Sequence, residues 1–299
     1  MFRPAMHTYS ASFYGQYDPT RTLTLRNRFA TEAKRRFKDL NKAVRAAILE
    51  HGILSGGIQT MAAQRNDNPS EVIRKFLEWL SRQENRDILA ANGITDEMWT
   101  DTYMDQGYRQ GVKRARTEMS RAGYQVPPIN DIGGVDALMV QPIHQDMAKI
   151  LGMEIRTSIQ ATATNMNMTI GKLLNGAVPA GRDPALIADQ ITKIMTNLIP
   201  DVPLPEINER FMSGMQRTIQ IGRTGVVKAH HLATIKEYEQ WGVDEVQVMA
   251  EFVTAGDDRV CERCKELEAK GPYELAEVIT MIPVHYGCRC IALPLRKDK

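Results

Sequence analysis

The chain has 299 residues, 43% of them hydrophobic and 25% charged, with a formal net charge of +2. That length supports one large or two modest domains whose cores need no cross-links to fold. The composition is that of a soluble globular protein; no apolar run approaches the roughly 20 residues that span a bilayer, and MFRPAMHTYSASFYGQYDPTR at the start lacks the apolar stretch of a secretory signal. A reducing cytoplasm is therefore the expected place of synthesis, where paired thiols more often hold metal than form disulfides.

Residues 1–20 read as an N-terminal arm. From Asp18 onward, Leu25, Phe29, Ala33, Phe37, Leu40, Val44 and Ile48 recur at three- and four-residue steps, which predicts a long helix capped by Thr20 or Thr22. Its other face is basic: Arg21, Arg26, Arg28, Lys34, Arg35, Arg36, Lys38, Lys42 and Arg45 stand against only Glu32 and Asp39. Such a face is either a solvated helix surface or an electrostatic contact with nucleic acid or an acidic partner.

A second helix is expected from a Ser70 cap to a stop at Gly93, burying Ile73, Phe76, Leu77, Leu80 and Ile88 with Trp79 beside them. A third follows in TDEMWTDTYMDQGYRQGVKRARTEMSRAG. There Asp96 and Glu97 suit the positive end of the helix, and Arg109, Lys113, Arg114 and Arg116 form a second basic cluster. These elements make up a basic helical region, 21–130, that ends in the loop YQVPPINDIGGVD.

A central helical region, 131–243, comes next, with Asp183 as a cap and Pro184 in the first helical position. Its methionines, among them Met153, Met166, Met168, Met195, Met212 and Met215, read as adaptable core filler or else as a helix-binding surface. His230 and His231 read as surface or packing residues. At Val246 the period shortens to two: Val246, Val248, Ala250 and Phe252 alternate with mostly polar neighbours, as in a half-buried strand. CRCIALPL at 288–295 is the second strand candidate. The expected fold is mainly α, an elongated helical body with a small C-terminal α+β zinc-binding unit over 244–299.

All four cysteines, with one of six histidines, fall between Cys261 and Cys290. Cys261 and Cys264 form a CxxC, whose knuckle turns two thiolates toward one point, and HYGCRC then offers His285, Cys288 and Cys290. Five soft donors for four places fit structural Zn²⁺, and a closed site would leave no open position for water. Cys288 and Cys290 on one strand would point to the same face, so both ligate only if the strand bends. Pairing of the thiols as disulfides, unrelated buried thiols and a redox centre at the CxxC are the competing readings. Asp257 and Asp258 read as turn acceptors for backbone N–H groups rather than paired catalytic acids.

Thr254, Ala255, Asp258, Arg259, Val260, Cys261 and Cys264, followed by Pro283, His285, Cys288, Arg289, Cys290 and Pro294, resemble the C-terminal domain of tailed-phage minor head proteins, the Mu F-like head-morphogenesis family. IGRTGVVKAHHLATIKEYEQWGVDEV is similar to that family's Arg-Thr helix and Gly-Val turn, and the likeness is strongest over about 215–295. Gly225 stands where the family commonly has an acidic residue, and Tyr286-Gly287 where Pro and Asn are usual. The resemblance implies a non-enzymatic virion protein associated with the portal vertex and capsid interior and made in the host cytoplasm. Portal protein and capsid components would be its partners, with double-stranded DNA as a further one through the basic helices. No membrane and no small-molecule substrate are expected.

Overall fold

The computed structural model describes residues 18–55, 68–89, 98–199, 212–241 and 249–295. Helix α1 (Leu23–Leu49) buries every one of the seven apolar residues predicted for its inner face, from Leu25 to Ile48. Its first amide is satisfied differently from expectation: Leu23 N donates to Asp18 Oδ2 at 2.7 Å, while the Thr20 hydroxyl donates to Asp18 Oδ1 at 2.6 Å. A carboxylate suits the positive helix end better than a hydroxyl.

Helix α2 (Pro69–Asp87) is capped by Asn68, whose side chain accepts from Ser70 N at 3.1 Å, so the cap lies two residues before the expected Ser70 and Pro69 opens the helix. Val72, Ile73, Phe76 and Leu80 form its buried stripe; Leu77 and Trp79 are half-buried, and Trp79 tilts against Phe76 at 5.8 Å between ring centroids. The expected stop at Gly93 and the acidic pair Asp96 and Glu97 lie outside the described residues. Helix α3 spans Asp101–Arg121 and begins later than its sequence suggested, because Asp101 Oδ2 accepts from Met98 N at 2.9 Å and closes a turn there.

The central part holds α4 (Gly134–Met139), α5 (Pro142–Ala177), α6 (Pro184–Thr196) and α7 (Gly214–Trp241). Asp183 caps α6 by accepting from Ala185 N at 2.9 Å, with Pro184 at the first helical position as expected. Met166, Met195 and Met215 are core residues as the core-filler reading expects, whereas Met153 and Met168 are 58% and 55% exposed and do not fit it. Both lie on the outer side of α5.

The chain forms two compact units: one from 1–27, 102–151 and 223–299, the other from 28–101 and 152–222. Within the first, α3 approaches α7 on glycines. A Cβ at Gly107 would meet Val226 O at 3.1 Å, and one at Gly111 would overlap the carbonyl of His230. The same unit carries an antiparallel sheet in the order β2–β1–β3, from β1 (Met249–Val253), β2 (Tyr273–Glu274) and β3 (Ile291–Pro294). Ala250 pairs with Tyr273 on one side and Phe252 with Ala292 on the other. Val246 and Val248, expected to start the first strand, lie outside the described residues. Helices α8 (Glu262–Lys270) and α9 (Leu275–Val278) lie between the strands in sequence. Tyr238, Phe252, Val278 and Ile282 pack with Cys264, Cys288 and Cys290 in one apolar core.

Candidate metal centre

Cys261 is the residue before α8 and Cys264 lies in that helix's first turn, where Cys264 N donates to Cys261 O at 3.0 Å. This puts both sulfurs on the same side of the helix start. Cys288 and Cys290 come from the segment before β3, which begins only at Ile291, so the expectation that they sit on one strand is corrected. The extended run is interrupted at His285–Cys288, where Cys288 N donates to His285 O at 3.1 Å and Gly287 takes φ 78°. That positive φ is the conformation glycine adopts at no steric cost.

The result brings all five predicted donors together. The ligand atoms of Cys261, Cys264 and His285 lie within 4.8 Å of one another, as do those of Cys264, Cys288 and Cys290. Cys264 belongs to both groups, and its sulfur is 3.5 Å from His285 Nε2. His285 Nδ1 pairs with the Tyr286 carbonyl at 2.9 Å, which turns Nε2 toward the sulfurs, as a second partner does for a ligating imidazole. Cys264, Cys288 and Cys290 are buried, Cys261 is half-buried and His285 is exposed. These groups are able to hold a metal ion.

The electrostatics of the thiols fit that reading. The Cys264 amide lowers the Cys261 thiol pKa, and burial pushes Cys264 up to about 12. Cys288 is lowered to about 5 by its hydrogen bond with Cys290, which that same bond and burial hold protonated. Without a cation the buried thiols share protons, because several thiolates in one apolar pocket repel one another. A divalent ion would replace those protons and let all of them ligate.

Two polar clamps brace the centre, and the sequence pointed to neither. Arg289, between the two cysteines, donates from Nη1 to Asp257 Oδ2 at 2.7 Å and from Nη2 to Asp257 Oδ1 at 2.6 Å. Asp257 also accepts from Arg259 N at 3.2 Å, fulfilling the turn role expected of it, while Asp258 is exposed. The Arg289 guanidinium holds the Asp257 carboxyl well below the usual carboxylate range. Thr254, at the end of β1, donates its amide and hydroxyl to the Glu268 carboxylate of α8 at 2.9 and 2.8 Å. The Thr224 hydroxyl of α7 accepts from Gly287 N at 3.1 Å. His230 and His231 are buried packing residues, and His231 Nε2 lies 3.0 Å from Val278 O.

The basic residues divide by environment. Arg26 is buried against Asp18 at 2.5 Å; Arg36 is half-buried, donating to Glu32 and to the Asp87 carbonyl while stacking 4.9 Å from the Trp99 ring; Arg45 pairs with Asp189 at 2.6 Å. Arg35 pairs at the surface with Glu32 and Asp39. Arg21, Arg28, Lys34, Lys38 and Lys42 are exposed, the three lysines at successive four-residue steps.

The second cluster does not form an exposed patch. Arg109 pairs with Asp105 and Asp136, Arg114 is buried and donates to the Pro19 carbonyl, and only Lys113 is exposed. Arg116 is buried with its Nε 2.8 Å from Glu237 Oε2 and its guanidinium 4.9 Å from the Trp241 ring. Glu237 continues to His144 at 3.4 Å, whose Nδ1 faces the Tyr108 hydroxyl at 3.0 Å. His144 and Glu237 are fully buried. Of these links the Tyr108–His144 contact is a hydrogen bond, and the other two are close approaches of the Glu237 carboxylate to Arg116 and His144. Nothing in the spacing of Tyr108, His144 and Glu237 along the sequence pointed to them.

Comparison with family models, curated proteins and solved structures finds no match. No helix among the described residues is long and apolar enough to cross a membrane.

Proposed function

We propose that this chain is a phage minor head protein, acting at the portal vertex and capsid interior during head assembly and DNA packaging, with its C-terminal unit held by structural zinc as a docking module. The observation that carries this reading is that the Cys and His residues of the resemblance, Cys261, Cys264, His285, Cys288 and Cys290, fall into two donor groups that share Cys264, with Thr254 and Arg289 bracing the segments around them. Thiolates with one imidazole favour Zn²⁺ over hard cations, and a closed set of four favours a structural role. The chain would be made in the host cytoplasm, act without catalysis and end in the virion.

Elemental analysis of protein purified under reducing conditions without chelator should give about one zinc per chain. Cys264→Ser, at the donor shared by both groups, should remove the metal and unfold the sheet region while circular dichroism retains most of the helix signal. Metal-free protein with intact tertiary structure would refute the zinc assignment. Co-sedimentation with the portal, and detection in virions by mass spectrometry, test the assembly role; failure of both would refute it.

The exposed Arg28, Lys34, Lys38 and Lys42 favour a second reading, a DNA-contacting accessory or ejected virion protein. Four phosphate contacts give a log–log salt slope of about −4 for duplex binding. A flat salt dependence would eliminate it.

A further inference from the structure

The two basic clusters of the sequence, one around α1 and one in α3, meet at a cavity that neither the metal centre nor the proposed assembly role uses. Arg21, from the turn before α1, lines a space of about 260 Å³ together with Lys113 and Arg114 of α3 and His230 of α7. Gln110, Lys113 and Arg114 share one helical face, so α3 presents an amide and two cations to the same space. The one carboxylate in the wall, Glu118, is already engaged, 3.3 Å from Arg121 and 3.8 Å from Arg114. His230 is held neutral by burial, its pKa lowered to about 3, and adds a polar wall without charge. Three cations thus face one carboxylate that is itself compensated.

Two features show these cations to be placed rather than merely present. Arg114 is 9% exposed and its guanidinium is anchored by the Pro19 carbonyl, so its orientation toward the cavity is fixed before any ligand arrives. Arg21 sits at φ 55°, in the left-handed region, closing a turn in which its amide donates to Asp18 O at 3.1 Å. Residues other than glycine, asparagine and aspartate rarely take that conformation. Glycine would satisfy the turn with less strain, whereas arginine keeps a guanidinium at the cavity mouth. Backbone strain retained at a cavity is a mark of function.

We propose that this cavity is a binding site for a phosphate group, carried by a small phosphorylated compound or by a nucleic-acid backbone. The forked guanidinium donors match phosphoryl oxygens, and Lys113 adds a compact charge. The volume lies at the small end of ligand sites and admits one or two phosphoryl groups rather than a folded partner.

The test uses the full chain, titrated calorimetrically with inorganic phosphate and with pyrophosphate at ionic strength held constant with sodium chloride. A short DNA duplex is followed in parallel by fluorescence anisotropy. Arg21→Gly relaxes the strained turn while removing the cation, and Lys113→Gln changes an exposed helix position. Neither should lower the thermal midpoint in the absence of phosphate, and each should weaken binding at least about tenfold, the factor equivalent to about 1.4 kcal/mol. If the inorganic anions bind with this dependence, a small phosphorylated ligand is the source. If only the duplex does, the phosphate belongs to a backbone. No binding of any of the three probes, or binding that both variants leave unchanged, overturns the proposal.

Discussion

In the C-terminal sheet region, strands of five, two and four residues offer little apolar surface, and side chains from α8 and a few loop positions tie them together: three buried cysteines, the Asp257–Arg289 fork and the Thr254–Glu268 strap. The unit built from 28–101 and 152–222 works in the opposite way. There, long helices interlock through aromatic rings against glycines, Phe29 on Gly222 and Phe37 on Gly214. One region depends on directional contacts at single residues and the other on shape over an extended surface. A single substitution should therefore break them by different routes, a lost tie in the first and a lost fit in the second.

The largest effect expected is in the second region. A Cβ at Gly222 would overlap the Phe29 ring, which is fully buried and also packs on Trp99 at 4.8 Å between centroids. Gly222→Ala gains about 1 kcal/mol of helix propensity. It should nevertheless lose about 3 kcal/mol net, since overpacking of a rigid site outweighs propensity. At Gly176, where an added Cβ would meet nothing within 4 Å, the same change should leave stability unchanged or raise it. Denaturant unfolding of the two variants measures both; equal effects would show that the interlock does not limit stability.

In the sheet region the counterpart is Asp257→Asn. Asp257 and Arg289 are 7% and 13% exposed, so removing one charge leaves the other poorly solvated. A loss of about 2 kcal/mol is expected, below that for a fully buried pair because Arg289 keeps partial access to water. Arg289→Lys should cost nearly as much, because an ammonium cannot reproduce the two parallel bonds. If Arg289→Lys were neutral, charge alone rather than the fork would brace the cysteines.

These contrasts also mark what the sequence could and could not convey. The stripe from Leu25 to Ile48 and the Asp183-Pro184 helix start were legible because helical period and capping are local rules. The Cys/His cluster was legible because its chemistry is rare and its spacing short. Arg26, Arg114 and Arg116 counted as part of two basic patches until the fold paired them with Asp18, Pro19 and Glu237, partners distant in sequence or hidden among ordinary charges. The bend that brings Cys288 and Cys290 to Cys264 depends on one glycine turn at Gly287, which a two-residue period does not reveal.

The last effect isolates a buried carboxylate inside the region governed by fit. Glu84 of α2 is 2% exposed; Asn167 donates to its Oε2 at 2.6 Å, and its Oε1 has no hydrogen-bond partner among the described residues. Burial pushes its carboxyl up to about 8. The folded state therefore binds a proton between the ordinary carboxyl value, 4.5, and about 8 that the unfolded state has released. Stability must then fall as pH rises through that window, at most about 1.4 kcal/mol per pH unit. A loss of about 2 kcal/mol is expected between pH 5 and 7, and Glu84→Gln should abolish it, equalling the parent at pH 5 and exceeding it at pH 7. Unfolding midpoints at the two pH values decide the matter. A parent and variant with parallel pH profiles would mean that water reaches Glu84, and that the helical unit tolerates a charge where its packing gives the carboxylate no cation.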